Sequence, residues 1–166
     1  MHNIVDEFEI TSPDSEEIEE GIPSQVALTN AINKARACKV FGDVIIACDT
    51  LVACGGKIYG KPHTKENAVE MIKELSDKWH SVFSGVCVKT VDKEITFVEE
   101  SKVKFNYLSE AQIVNYVNNN MPLDKAGSYG IQDGVVVERY SGDFDNIVGL
   151  PVKKLREVLK ELVYVK

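Results

Sequence analysis

A chain of 166 residues, 44% hydrophobic and 27% charged, has the length and balance of one folded domain and excludes a disordered or fibrous protein. No apolar run approaches the roughly 18 residues that cross a bilayer, and the opening Met1–Glu7 has neither the basic nor the apolar region of a secretion signal, so the cytoplasm is expected. A net charge of −7 argues against broad binding to nucleic-acid polymers or an anionic membrane, although a metal ion and a few lysines can reverse the sign inside a cleft.

In chain order, the first element expected is a short strand, Phe8–Thr11, followed by the acidic run Asp14–Glu20. Ser24–Val40 has helical spacing, with Ala27, Ala31 and Cys38 about one turn apart. Val44–Cys48 is a continuous apolar run, as in a strand covered on both faces, and ends at Asp49. Gly55-Gly56 then turns a hairpin between Leu51–Cys54 and Lys57–Tyr59. Thr64 caps a helix whose apolar face is Ala68, Met71, Ile72 and Leu75.

Two long strands follow, Ser81–Val91 and Ile95–Asn106, joined at Asp92-Lys93. Ser109 with Gln112 forms a capping-box signature, and Asn118–Asn120 before Met121-Pro122 stops that helix. After a glycine-containing loop come a strand, Val135–Tyr140, and a last helix opened by Pro151, with Val152, Leu155, Val158, Leu159 and Leu162 inward. Strands and helices mix without strict alternation. The expected class is therefore α/β (α+β mixed): a curved, mixed sheet flanked by helices, in one domain over residues 1–166.

Several residues along this order can carry chemistry. Asp49, after an apolar strand, can bind Mg²⁺ or accept a proton from water, or can simply cap a turn. Lys34 interrupts the small-residue face of the first helix, so it either snorkels outward or meets an anion. Lys61, between Gly60 and Pro62, either crosses a cleft or is solvated. The stretch Asp124–Gln132 combines Gly127 and Gly130 with Asp124, Lys125, Ser128 and Gln132, a mixture that suits a nucleotide better than an apolar ligand.

Asp143–Gly149, before Pro151, offers either ordinary caps or free N–H groups for an anion. His80, at a strand start, is read as structural. Cys38, Cys48, Cys54 and Cys87 lack Cys-x-x-Cys spacing and are read as buried, reduced thiols. Phosphate-loop, dinucleotide, zinc-protease and serine-hydrolase signatures are absent.

Taken in order, Lys34-Ala35, Asp49-Thr50, Gly60-Lys61-Pro62, Leu75-Ser76 before His80-Ser81-Val82, Asp124–Gln132 and Gly142–Pro151 resemble the blocks of the Maf family. Those proteins are nucleoside triphosphate pyrophosphatases related in fold to inosine triphosphatases. The resemblance runs from about Phe8 to the last helix. It implies cleavage between the α and β phosphates, Asp49 as general base, Glu17 (or Glu16, one residue away) as a second carboxylate, and a divalent metal, Mg²⁺ or Mn²⁺, held by Asp49 and Glu17.

It further implies that Lys34 and Lys61 hold the phosphate chain, with Lys125 in the same substrate site, that Thr50 and Gln132 bear on base choice, and that the protein is a homodimer. The form Ile131-Gln132 resembles the branch acting on dTTP and UTP, whereas the sister branch prefers 7-methylguanosine triphosphate. Two departures stand out. Family members begin with a buried strand and a Ser-x-x-Arg phosphate loop that have no counterpart here, so an N-terminally truncated form of an active enzyme is expected; the rival expectation is an impaired nucleotide-binding or septum-associated interaction protein. Asp77 stands where the family usually has glycine.

Overall fold

The computed structural model describes residues 7–39 and 44–163. A five-stranded sheet runs through the middle in the order β2-β1-β3-β4-β5, with every described pairing antiparallel. β1 (Ile45–Cys54) lies along β3 (Trp79–Lys89), from Ile45 opposite Lys89 to Ala53 opposite Ser81. β4 (Glu94–Phe105) follows β3 across a turn in which Thr90 N donates to Lys93 O at 2.8 Å. β5 (Val137–Ser141) closes one edge, and β2 (Lys57–Tyr59) pairs only with the end of β1. The mixed α/β class follows from the sequence pattern as expected.

Two local expectations are corrected. The strand expected to stop at Cys48 continues through Asp49 and Thr50 as one ten-residue strand. These two polar residues interrupt the apolar run, but the backbone ladder passes them, with Asp49 opposite Gly85 and Thr50 opposite Ser84. Phe8–Thr11 forms no strand; Ile10 is 85% exposed, and with no apolar surface to cover it the segment joins no sheet among the described residues. Val40, the expected end of the first helix, lies outside the described residues.

The faces of the sheet carry different layers. α1 (Pro23–Ala37) opens on a proline whose missing N–H costs nothing there. It lays Ala27, Ala31 and Ala35, all fully buried, over Leu51, Ala53 and Cys87. It lies so close that a Cβ on Gly85 would sit 2.3 Å from the carbonyl oxygen of Ala27, so only glycine fits beneath it.

On the opposite face α2 (Lys65–Leu75) and α3 (Glu110–Asn120) bury Ile72, Leu75, Ile113 and Val117 against Val52, Val82, Val103 and Phe105. Such side chains contribute roughly 1.5–3 kcal/mol each when removed from water. α5 (Val152–Val163) covers the far part of that face with Leu155, Val158 and Leu159 on Val86 and Val88. The short α4 (Phe144–Val148) lies between β5 and α5 in the chain and buries Asn146.

The local signals act as the sequence indicates. Thr64 accepts from Asn67 N at 3.2 Å, and Ser109 with Gln112 completes both halves of a capping box. Asp77 takes a left-handed φ of 58°, the conformation that glycine adopts without strain, and its carboxylate meets Lys104 Nζ at 2.7 Å.

Candidate active site

The pleat of β1 turns Asp49 toward α1, on the same side as Leu51. Asn30 and Lys34, four residues apart, project from one face of that helix. The alanine face and Gly85 hold the helix low enough for both to reach the sheet. Lys34 Nζ lies 2.6 Å from Asp49 Oδ1 and 2.9 Å from Glu17 Oε1, so one ammonium is shared by two carboxylates. The lysine meets an anion rather than snorkelling outward, and Glu17, not Glu16, is the carboxylate that it pairs with.

Burial works against the Lys34 charge, but the hydrogen bonds and charges of Asp49 and Glu17 prevail and raise its pKa. Glu17 is held below the ordinary glutamate range, chiefly by the Lys34 hydrogen bond, with the Lys61 charge adding to it. Asn30 escaped the sequence reading. Its amide donates to Asp49 Oδ2 at 3.2 Å. The available signal was a polar residue inside an otherwise alanine face, one turn before Lys34.

These groups wall a cavity of about 1140 Å³, which Glu17, Lys34, Asp49, Thr50, Lys61, Lys125 and Gln132 all line. Lys61 is exposed and makes no ion pair or hydrogen bond among the described residues. Gly127 N donates to Gly60 O at 3.2 Å, which ties the Lys61 turn to the 124–132 loop. Lys125 Nζ lies 3.5 Å from the neighbouring Asp124 carboxylate.

Gln132 is exposed, and its amide is unbonded among the described residues. Its loop is fastened by Asp133, whose carboxylate accepts from Gly130 N at 3.0 Å and from the Tyr116 hydroxyl. Asp133 and Tyr116 carried no recognisable sequence signal, because α3 and the loop meet only in the folded chain. Thr50 points to the face opposite Asp49. Its hydroxyl lies 2.7 Å from Ser84 Oγ and donates to Gly149 O at 3.2 Å, anchoring the turn before α5.

The polar turn at residues 143–149 is explained by caps. Asp143 accepts from Asp145 N at 2.9 Å, and Gly149 N and Leu150 N bond back to Asp145 O. His80 is buried, 2.7 Å from the Tyr129 hydroxyl, and packs edge-on to Phe105; burial pushes its pKa down to about 4. All four cysteines are reduced thiols, but only Cys87 is fully buried, because Cys38, Cys48 and Cys54 lie at partly open positions. Among the described residues no group of three or more His, Cys, Asp or Glu side chains converges. No helix among them is long and apolar enough to cross a membrane.

The cavity thus collects residues that are far apart in the chain but lie in the ordered blocks noted in the sequence. Residues 1–162 match the family described as Maf-like protein. This chain belongs to the Maf family.

Among similar proteins, the dTTP/UTP pyrophosphatase of Aquifex aeolicus (strain VF5) is 41% identical over 163 residues, covering 94% of this chain and 85% of that protein. The dTTP/UTP pyrophosphatase of Thermosipho africanus (strain TCF52B) is 44% identical over 152 residues, covering 90% and 79%. That of Clostridium botulinum (strain Loch Maree / Type A3) is 41% identical over 175 aligned positions, covering 98% and 90%. Residues of five of the blocks, among them Lys34, Asp49, Lys61, Gln132 and Gly149, line one cavity, while Leu75 and His80 of the remaining block are buried in the core.

Proposed function

We propose that this Maf-family chain hydrolyses dTTP and UTP to the nucleoside monophosphate and pyrophosphate. The observation that carries the reading is the meeting of Glu17, Lys34 and Asp49 at the wall of a cavity also lined by Lys61, Lys125 and Gln132. The names of the similar proteins support the choice of substrates.

In this reading Asp49 takes the proton of the attacking water on a carboxylate oxygen. Lys34 and Asn30 engage one oxygen each, and every carboxylate oxygen keeps a further lone pair. Water oxygen bonds to the α phosphorus while the bond to the α–β bridging oxygen breaks, and pyrophosphate leaves with the electron pair. Lys61 and Lys125, exposed and without strong partners, receive the polyphosphate chain, and Lys34 exchanges part of its carboxylate contact for phosphate oxygen. The free amide of Gln132 offers a donor and an acceptor to the complementary edge of uracil or thymine. Thr50 bears on base choice indirectly, by fixing the turn at Gly149 that lines the same cavity.

Glu17 and Asp49 also fit a divalent cation: their oxygens already converge on one positive charge, and two carboxylates plus substrate phosphates are the usual set for Mg²⁺. Mg²⁺ or Mn²⁺ held there would offset the triphosphate charge and lower the pKa of nearby water. A cytoplasmic location agrees with the reduced thiols, and a homodimer is expected from the family resemblance. The test is pyrophosphate release from dTTP, UTP and 7-methyl-GTP, measured side by side with Mg²⁺ or Mn²⁺. Faster turnover of dTTP and UTP is expected. Faster 7-methyl-GTP turnover would overturn the substrate choice, and binding without turnover would make the chain a nucleotide-binding protein instead.

A further inference from the structure

We propose that Asn30 is a positioning residue that holds Glu17 and Asp49 in a single arrangement, an inference that rests on the activity proposed above. Asn30 is 4% exposed and uses both ends of its amide. Oδ1 accepts from Ile18 N at 2.7 Å, while Nδ2 donates to Ile18 O at 2.9 Å and to Asp49 Oδ2 at 3.2 Å. The paired bonds to Ile18 are those a neighbouring strand would make, so the chain is fastened at the residue next to Glu17.

Nearer the start of that segment, Thr11 Oγ1 lies 3.8 Å from Cys38 Sγ. Residues 7–19 contain no helix or strand, and Ile10 and Ile18 are 85% and 43% exposed, so apolar burial does not pin them. The Glu17–Lys34 pair is open to solvent on the glutamate side, where ion pairs are weak and screened. It is also the contact that an incoming triphosphate competes for, because phosphate oxygens draw the Lys34 ammonium. The amide of Asn30 is neutral and keeps its bonds as the charges in the site rearrange.

The side-chain type is specific. Aspartate keeps an acceptor for Ile18 N–H but loses the donor and repels Asp49. Leucine supplies neither donor nor acceptor. Glutamine is one methylene too long for a buried place beside Ala27 and Ala31, which are fully buried. Asn30 does not touch the reacting atoms in this scheme; it acts through Glu17 and Asp49.

The experiment combines Asn30→Leu, Asn30→Asp, Glu17→Gln and the double variant Asn30→Leu/Glu17→Gln. It reads kcat and KM for dTTP together with amide hydrogen exchange at Ile18. Asn30→Leu is expected to lower kcat on the order of 10- to 100-fold with a much smaller change in KM, as removal of groups that orient a ligand set does. Exchange at Ile18 should speed up by about tenfold or more, as for a local opening that lost its bonds. Because part of the Asn30 effect passes through Glu17, the double variant should be less impaired than the product of the single effects.

Asn30→Asp, which keeps the Ile18 N–H bond, should lose kcat with a smaller gain in exchange. It also carries the reading if the leucine variant does not fold. Unchanged kcat in a folded variant, or losses that multiply in the double variant, would overturn the proposal. If the unaltered chain releases no pyrophosphate from either substrate, the proposed activity fails. The positioning claim then stands or falls on the exchange at Ile18 alone, and unchanged exchange overturns it.

Discussion

α1 meets the sheet through small residues, Ala27, Ala31 and Ala35 over Ala53, Cys87 and Gly85 with Val26 and Leu51 beside them, while the layer between the same strands and α2 and α3 is filled by valine, leucine, isoleucine, phenylalanine and tyrosine. The thin layer brings a helix backbone within contact of Gly85 and lets Asn30 and Lys34 reach Asp49. The thick layer supplies most of the large buried side chains, and Glu17, Asn30, Lys34 and Asp49 meet on the other side of the sheet. The charged centre therefore depends on how close two backbones lie, and stability depends mainly on volume buried elsewhere. Substitutions on the two sides should fail in different ways.

Ile72→Ala, in the thick layer, should produce the largest loss of stability, about 2–5 kcal/mol as for other buried large-to-small changes. In chemical denaturation the midpoint should fall, while kcat at low temperature stays within about twofold because the site is untouched. Gly85→Ala should reverse that signature. Its Cβ meets the Ala27 backbone, which cannot swing aside, so α1 must lift from the sheet. Overpacking of this kind costs about 1–3 kcal/mol, and the separation of Lys34 from Asp49 should reduce kcat by more than the stability change alone would. Equal kcat in the glycine and alanine forms would remove the distinction between the layers.

A smaller effect is expected at Thr64→Ala, which removes the α2 cap on the thick side and should cost about 1 kcal/mol without altering KM.

The smallest effect is in pH. Glu17 has a lowered pKa when folded, so its contribution is present above the ordinary glutamate range and is lost as pH falls through the lowered value. Lys34 has a raised pKa, so its contribution is complete below the ordinary lysine range and is lost only as pH rises through the raised value. Protection of the 17–18 amides should therefore weaken at the acid limit and again at the alkaline limit, and stay level between. A change centred near neutral pH would contradict this account of the site.

Much of this was legible in the sequence because the signals are local. The caps at Thr64 and Ser109, the Gly55-Gly56 turn and the apolar faces of α2 and α5 are each set within a few residues. Asp49 was identifiable as a carboxylate beside an apolar run, but its mid-strand position was not, since nothing local shows that Thr50 finds Ser84 and Gly149 far along the chain. The expected strand Phe8–Thr11 failed for a related reason: an apolar alternation forms a strand only where a ladder partner and a surface to cover exist. Asn30, Gly85 and Asp133 gained their roles from contacts across the fold and were invisible one residue at a time, although an asparagine at helical spacing from Lys34 on an alanine face was a usable clue.

Whether the carboxylate–lysine centre at Asp49 performs the hydrolysis is tested most directly by comparing pyrophosphate release from dTTP by the unaltered chain and by Asp49→Asn, with substrate binding measured in parallel. The substitution keeps the shape while removing the base, so a fall in kcat of about 100-fold or more is expected with dTTP still bound. Turnover by Asp49→Asn within a few-fold of the unaltered chain would contradict the assignment.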